Sequence, residues 1–127
     1  MENIKVTGDM FVMGGEPSPG LTIEKANELF NKLETETDIA DLFSAVDNMA
    51  WWLEDEQYDF EVGTEEYKEV CEKTEKWFTL SEKLRNKIFD ILKSKGVEIP
   101  ETGYNAVLEP FMKRNGYING NGWWIEE

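Results

Sequence analysis

Histidine is absent from the sequence, and with it go the commonest general base and the commonest metal ligand. Cysteine occurs once, so no internal disulfide can form. Cys71 falls among the apolar positions of an expected helix, a poor setting for thiol catalysis or a structural zinc site. Such cysteine usage points to a reducing, cytoplasmic location. No apolar run approaches the ~18 residues of a membrane span. The start MENIKVTGDM also lacks the basic and apolar regions of a signal peptide, so a soluble intracellular chain is expected. There is no glycine-rich phosphate loop, no GxSxG elbow and no CxxC pair. The GNG near the end lacks a strand-to-helix context, and KRNG (Lys113 to Gly116) is too short to argue for nucleic acid.

Basic residues are missing from one long stretch. Between Glu34 and Glu66 lie 12 acids and no Lys or Arg, whereas the rest of the chain has 15 acids against 13 bases. Nearly all of the net charge of −14 therefore sits in one segment. A concentrated negative field repels nucleic acid and membrane surfaces and attracts basic ones, so direct nucleic-acid or membrane binding is not expected.

What is present suffices for one domain, residues 1–127, with 40% hydrophobic and 13% aromatic residues. The expected fold is α+β and mostly helical. Residues 1–20 read as short strands and loop: Ile4 and Val6 alternate, Met10 to Met13 would return, and GGEPSPG breaks regular structure. Residues 22–96 read as the helical core. A short helix follows a cap at Thr22 and runs to about Glu34. A second, about 37–57, is capped by Thr37 or Asp38 and carries an apolar stripe of Ile39, Leu42, Phe43, Val46, Met49, Ala50 and Leu53. A third, about 64–95, is capped by Thr64 and stops at Gly96, with a break considered near Ser81. The second and third helices form an antiparallel hairpin. In residues 97–127, Pro110 suggests two short helical turns, and two Asn-Gly pairs suggest a C-terminal β-hairpin. The terminal hairpins could share one small sheet.

The stretch NMAWWLEDE poses a packing problem, because adjacent helical residues point about 100° apart. With the apolar stripe inward, Trp51 and Trp52 fall about 140° and 120° from its centre on opposite sides. Asp41, Ser44, Asn48 and Asp55 lie between them. Packing of either ring against a second layer competes with a recognition face in which acids steer a basic partner and an indole anchors it. Residues assigned to that face are Asp41, Asp47, Asn48, Trp51, Trp52, Glu54, Asp55, Glu56, Asp59 and Glu61. Trp123 and Trp124 pose a similar problem, since neighbouring strand residues face opposite ways. Lys76 and Lys83 of the third helix are expected nearest Asp47 and Asp41.

A magnesium-dependent nucleotide hydrolase needs carboxylates converging from neighbouring helices. The pair Glu72 and Glu75 points away from the hairpin seam, and Glu69 and Glu72 each precede a lysine by four residues, the pattern of a solvated face. No catalytic residue, metal or cofactor is therefore assigned. The expected function is non-enzymatic: occupation of a basic, nucleic-acid-binding surface on another protein or complex, in the manner of a DNA mimic. In size, acidity and lack of catalytic motifs, the chain resembles small phage-encoded anti-defence proteins, including anti-CRISPR inhibitors; no residue role follows from that profile. Alternatives are a protein sequestering a small nucleotide or signalling molecule, a homo-oligomeric assembly protein, and, least favoured, the all-helical hydrolase.

Overall fold

The computed structural model describes residues 4–7, 17, 20–120 and 122–127. It is mostly helical, with a long helical pair and a two-stranded antiparallel sheet, the expected class. The proposed return strand Met10 to Met13 lies outside the described residues.

Helix α1, Ile23–Phe30, begins where Thr22 accepts a hydrogen bond from the Lys25 N–H. It stops short of Glu34, because the chain must turn to reach a capping box. There Thr35 accepts from the Asp38 N–H while Asp38 accepts from the Thr35 N–H, so the cap of α2, Glu36–Glu56, is Thr35 rather than Thr37 or Asp38. Thr37 instead bonds Asn115. The apolar stripe of α2 is buried from Leu42 to Leu53, with Ile39 half-buried at its start.

After a single 3₁₀ turn, Gln57–Asp59, Thr64 caps α3, Glu65–Ser94, by accepting from the Tyr67 N–H. Helix α3 is continuous through Ser81, whose hydroxyl reaches Asp47 on α2. It ends in a Schellman motif: Gly96 takes φ +84°, its N–H bonds Lys93, and the Val97 N–H bonds Leu92. Trp77, Leu80, Leu84, Ile88 and Leu92 pack against the α2 stripe. Each such side chain removed from water stabilises the fold by about 1.5–3 kcal/mol.

Pro110 does not divide the next element. Helix α4, Asn105–Arg114, runs through it as one helix. Both Pro110 and Ala106, whose carbonyl would have accepted the missing N–H, are exposed to solvent, while Leu108, Phe111 and Met112 are buried on the opposite side. Burial of that stripe outweighs one hydrogen bond replaced by water.

Strands β1, Tyr117–Gly120, and β2, Trp123–Glu126, form the C-terminal hairpin, in register Tyr117↔Glu126 through Gly120↔Trp123. Gly122, just before β2, has φ +91°, the backbone conformation that a hairpin glycine supplies. The N-terminal segment docks beside β2: the Val6 carbonyl accepts from the Glu126 N–H, Val6 is buried, and Lys5 pairs with Glu126 at 3.2 Å. Lys5 and Val6 thus meet the end of β2, but residues 4–7 form no strand of the sheet.

The central element is α2. Helix α3 covers its apolar stripe, and the β-hairpin covers much of its polar back. No helix among the described residues is long and apolar enough to cross a membrane.

Candidate interaction surface at the closed end of the helical hairpin

The acids from Glu34 to Glu66 divide into two groups with different surroundings. Those toward the start of α2 are bonded within the fold. Glu36 lies between Arg114 and Lys95, and the hydrogen bond from Arg114 is the main reason its carboxyl is held below the usual glutamate value. Asp38 serves the capping box. Asp41 accepts from the Tyr117 hydroxyl at 2.7 Å. Burial raises the pKa of both partners: Asp41 rises despite that hydrogen bond, and Tyr117 moves well above the usual tyrosine value. Asp47 accepts from Ser81 at 2.8 Å and from Trp124 Nε1 at 3.1 Å, yet burial outweighs both bonds and raises its pKa.

Asn48 is fully buried. Its amide oxygen accepts from the Trp124 N–H at 2.9 Å and its amide nitrogen donates to the Trp124 carbonyl at 2.6 Å. A side-chain amide here pairs with β2 as a neighbouring strand would. Of the residues assigned to a recognition face, Asp41, Asp47 and Asn48 are thus seats for the C-terminal hairpin instead. The polar back of α2 is a docking seam, not a solvent face. Trp52 is half-buried against the core cluster. Lys76 and Lys83 do not lie over Asp47 and Asp41 either. They line a groove with Ile23, Glu24 and Asn27 of α1, because the helical register puts Ser81 opposite Asp47.

The remaining assigned residues stay together at the closed end. Asp55, Asp59 and Glu61 are exposed, and Glu54 and Glu56 are partly exposed. Glu65 and Glu66, which the assignment omitted, are exposed across the turn. Residues 54–66 thus contain seven acids and no base. Among the described residues, none of the seven forms an ion pair. Glu65 and Glu66 suit the positive start of α3, but Glu54, Asp55 and Glu56 occupy the last turn of α2, where the helix dipole disfavours negative charge. The fold gains nothing from acids at that position.

Apolar surface accompanies these charges. Tyr58 and Val62 are each 82% exposed at the apex, and Trp51 is 47% exposed about two turns before it. The Trp51 ring meets Phe78 of α3 edge-on, with centroids 5.0 Å apart. Residues 61–64 close the turn tightly. The Thr64 hydroxyl and N–H both donate to the Glu61 carbonyl, and Gly63 supplies a φ of +94°. Tyr58 and Val62 escaped sequence reading because connector residues have no periodicity from which to infer exposure.

Two adjoining clefts flank Trp51. One, of about 310 Å³, includes Phe43, Asp47, Phe78, Arg85, Tyr104 and Trp124. In it the Arg85 guanidinium lies 4.9 Å from the centre of the Tyr104 ring, and its Nε is buried without a hydrogen-bond partner among the described residues. The other, of about 460 Å³, is lined by Asp47, Trp51, Asp55, Asn105, Asn119, Gly122, Trp123 and Trp124. Among the described residues, no three metal-ligating side chains gather into a potential ion site. No protein-family model, curated protein or solved structure matches this chain, so the reading of the site rests on its own geometry.

Proposed function

We propose that this protein acts by binding, and that the closed end of its α2–α3 hairpin occupies a basic surface on another protein, in the place a nucleic-acid backbone would take. The observation that carries the reading is the cluster of seven acids over residues 54–66 without an ion pair among the described residues, placed partly against the dipole of α2 and interrupted by exposed Tyr58 and Val62. Local features that oppose stability are commonest where a surface is kept for another purpose. Carboxylates supply the long-range attraction and the apolar residues supply contact area once the partner has docked.

The test combines three substitutions remote from the core, Asp59→Asn, Glu61→Gln and Glu65→Gln. The wild-type protein, immobilised at low ionic strength, should retain a nucleic-acid-binding protein from lysate of its source. Duplex DNA or RNA should displace that protein, and so should salt of about 1 M, which shortens the screening length to about 3 Å. The triple variant should retain little of it. Equal retention by both proteins, or a complex indifferent to salt and nucleic acid, overturns the reading.

A further inference from the structure

The cleft of about 460 Å³ beside Trp51 combines three indoles, two carboxylates and two side-chain amides, with no basic residue among the described residues of its lining. Trp51 and Trp123 are partly exposed along it, whereas Trp124 is buried with its Nε1–H on Asp47. Asp55 adds a second carboxylate at the side nearest the acidic end. Indole faces attract cations, and the attraction strengthens in a partly desolvated site with a nearby counter-charge.

Other ligand classes fit less well. An anion would meet Asp47, Asp55 and the field of the acidic end. A neutral apolar ligand would bury the carboxylates without compensating them. A divalent metal would need a converging ligand set that the described residues do not provide. In the adjoining cleft, Arg85 already lies over Tyr104 on the other side of Asp47. With Arg85 beside Asp47 in that adjoining cleft, exposed Asp55 is the carboxylate left for a ligand here to neutralise.

We propose that this cleft binds a monovalent organic cation, an alkylated ammonium or guanidinium group, between its indoles and beside Asp47 and Asp55. The cation is either a free small molecule or a side chain of a basic partner; the second source rests on the function proposed above, and the first does not.

The experiment follows the five tryptophan indole N–H resonances of the ¹⁵N-labelled protein, assigned by single Trp→Phe variants. One arm titrates choline chloride and another a glycine-serine peptide containing one arginine. Controls are sodium chloride at matched ionic strength and 3,3-dimethylbutan-1-ol, the uncharged isostere of choline. Saturable shifts of Trp51, Trp123 and Trp124, with Trp52 and Trp77 still, are expected from at least one cation. Saturation by choline identifies a free ligand, and saturation by the peptide alone identifies a side chain. Trp51→Leu should weaken binding about tenfold, from the usual strength of a cation–indole contact, and Asp55→Asn should weaken it severalfold. Both residues lie outside the core, so folding survives both changes. Absence of saturable shifts, equal shifts with the uncharged isostere, or binding unchanged in both variants overturns the proposal. Asp59→Asn with Glu61→Gln should leave choline binding nearly intact while reducing capture of a basic partner, so either proposal can fail without the other.

Discussion

Asp47 and Asp55 are two turns apart on the same helix, yet they have opposite fates. Asp47 is held by Ser81 and Trp124 where three elements meet, and its carboxylate joins α2 to α3 and the β-hairpin. Asp55 is exposed at the rim of a cleft beside that hairpin and forms no ion pair among the described residues. The division recurs along the acidic segment: Glu36, Asp38, Asp41 and Asp47 are tied to the structure, whereas the acids from Glu54 to Glu66 are partly or fully exposed and form no ion pair among the described residues. Charge density along a sequence therefore overstates the acidity available to a partner until the acids with internal duties are subtracted.

The comparison is tested most severely at Asn48. Replacing it with Ala leaves both the N–H and the carbonyl of buried Trp124 without partners, which should cost about 2–4 kcal/mol. Urea denaturation would measure it, and loss of the Trp124 near-ultraviolet signal should accompany it. A cost below about 0.5 kcal/mol would mean that the hairpin is not seated by this amide.

A smaller effect separates Asp47 from Asp55 by pH. Burial raises the Asp47 pKa above the ordinary value, so the folded state holds its proton more tightly than the unfolded chain does. Its contribution to stability is full below the unfolded value of about 3.9 and is lost as pH rises through the raised folded value. Asp41 has the same sign. Glu36 has the opposite one: its contribution is present above the unfolded value and lost as pH falls through the lowered one. The Tm should therefore rise as pH falls through the raised folded values of Asp47 and Asp41. Asp47→Asn should flatten that rise, and Asp55→Asn should not. Equal slopes in the two variants would place the effect in general charge repulsion.

Glu36→Gln tests the opening turn of α2. Its partners Arg114 and Lys95 are both about half exposed, so screening limits the loss to roughly 0.5 kcal/mol. The loss should shrink further in high salt, which thermal melts at two ionic strengths would reveal.

How much of this was legible in the sequence follows from what each signal measures. Periodicity reports which face of a helix is apolar, so the α2 stripe and the helical hairpin could be read directly. It is silent about polar residues buried by an element more than 70 positions away. Ser44, Asn48 and Asp41 looked like a solvent face because their partners, Tyr117 and Trp124, come from the C-terminal hairpin. A clue was available: Tyr117 and Trp124 each carry a donor that must be satisfied once buried, and a small polar stripe on the central helix is where such donors can go. Pro110 misled for a related reason, since a local rule about one hydrogen bond was set against the burial of three side chains.

The smallest effect is the most discriminating, because its sign is unusual. Substituting an exposed acid on a stable helix normally changes stability by less than about 0.5 kcal/mol in either direction. Glu56 is in the final turn of α2, next to Asp55 and Glu54 and against the negative end of the helix dipole, with no basic residue in that turn. Glu56→Lys should therefore stabilise the protein by about 0.3–1 kcal/mol, through the dipole and the relief of like-charge repulsion. The same change should weaken capture of a basic partner. Glu66→Lys, at the positive end of α3, should also weaken capture but should lower stability instead. If both variants lose stability, the acids of the closed end support the fold in some way, and the distinction between tied and free carboxylates fails where it matters most. If Glu56→Lys is more stable and still binds, the acids at the end of α2 are dispensable and recognition is confined to the turn and the start of α3.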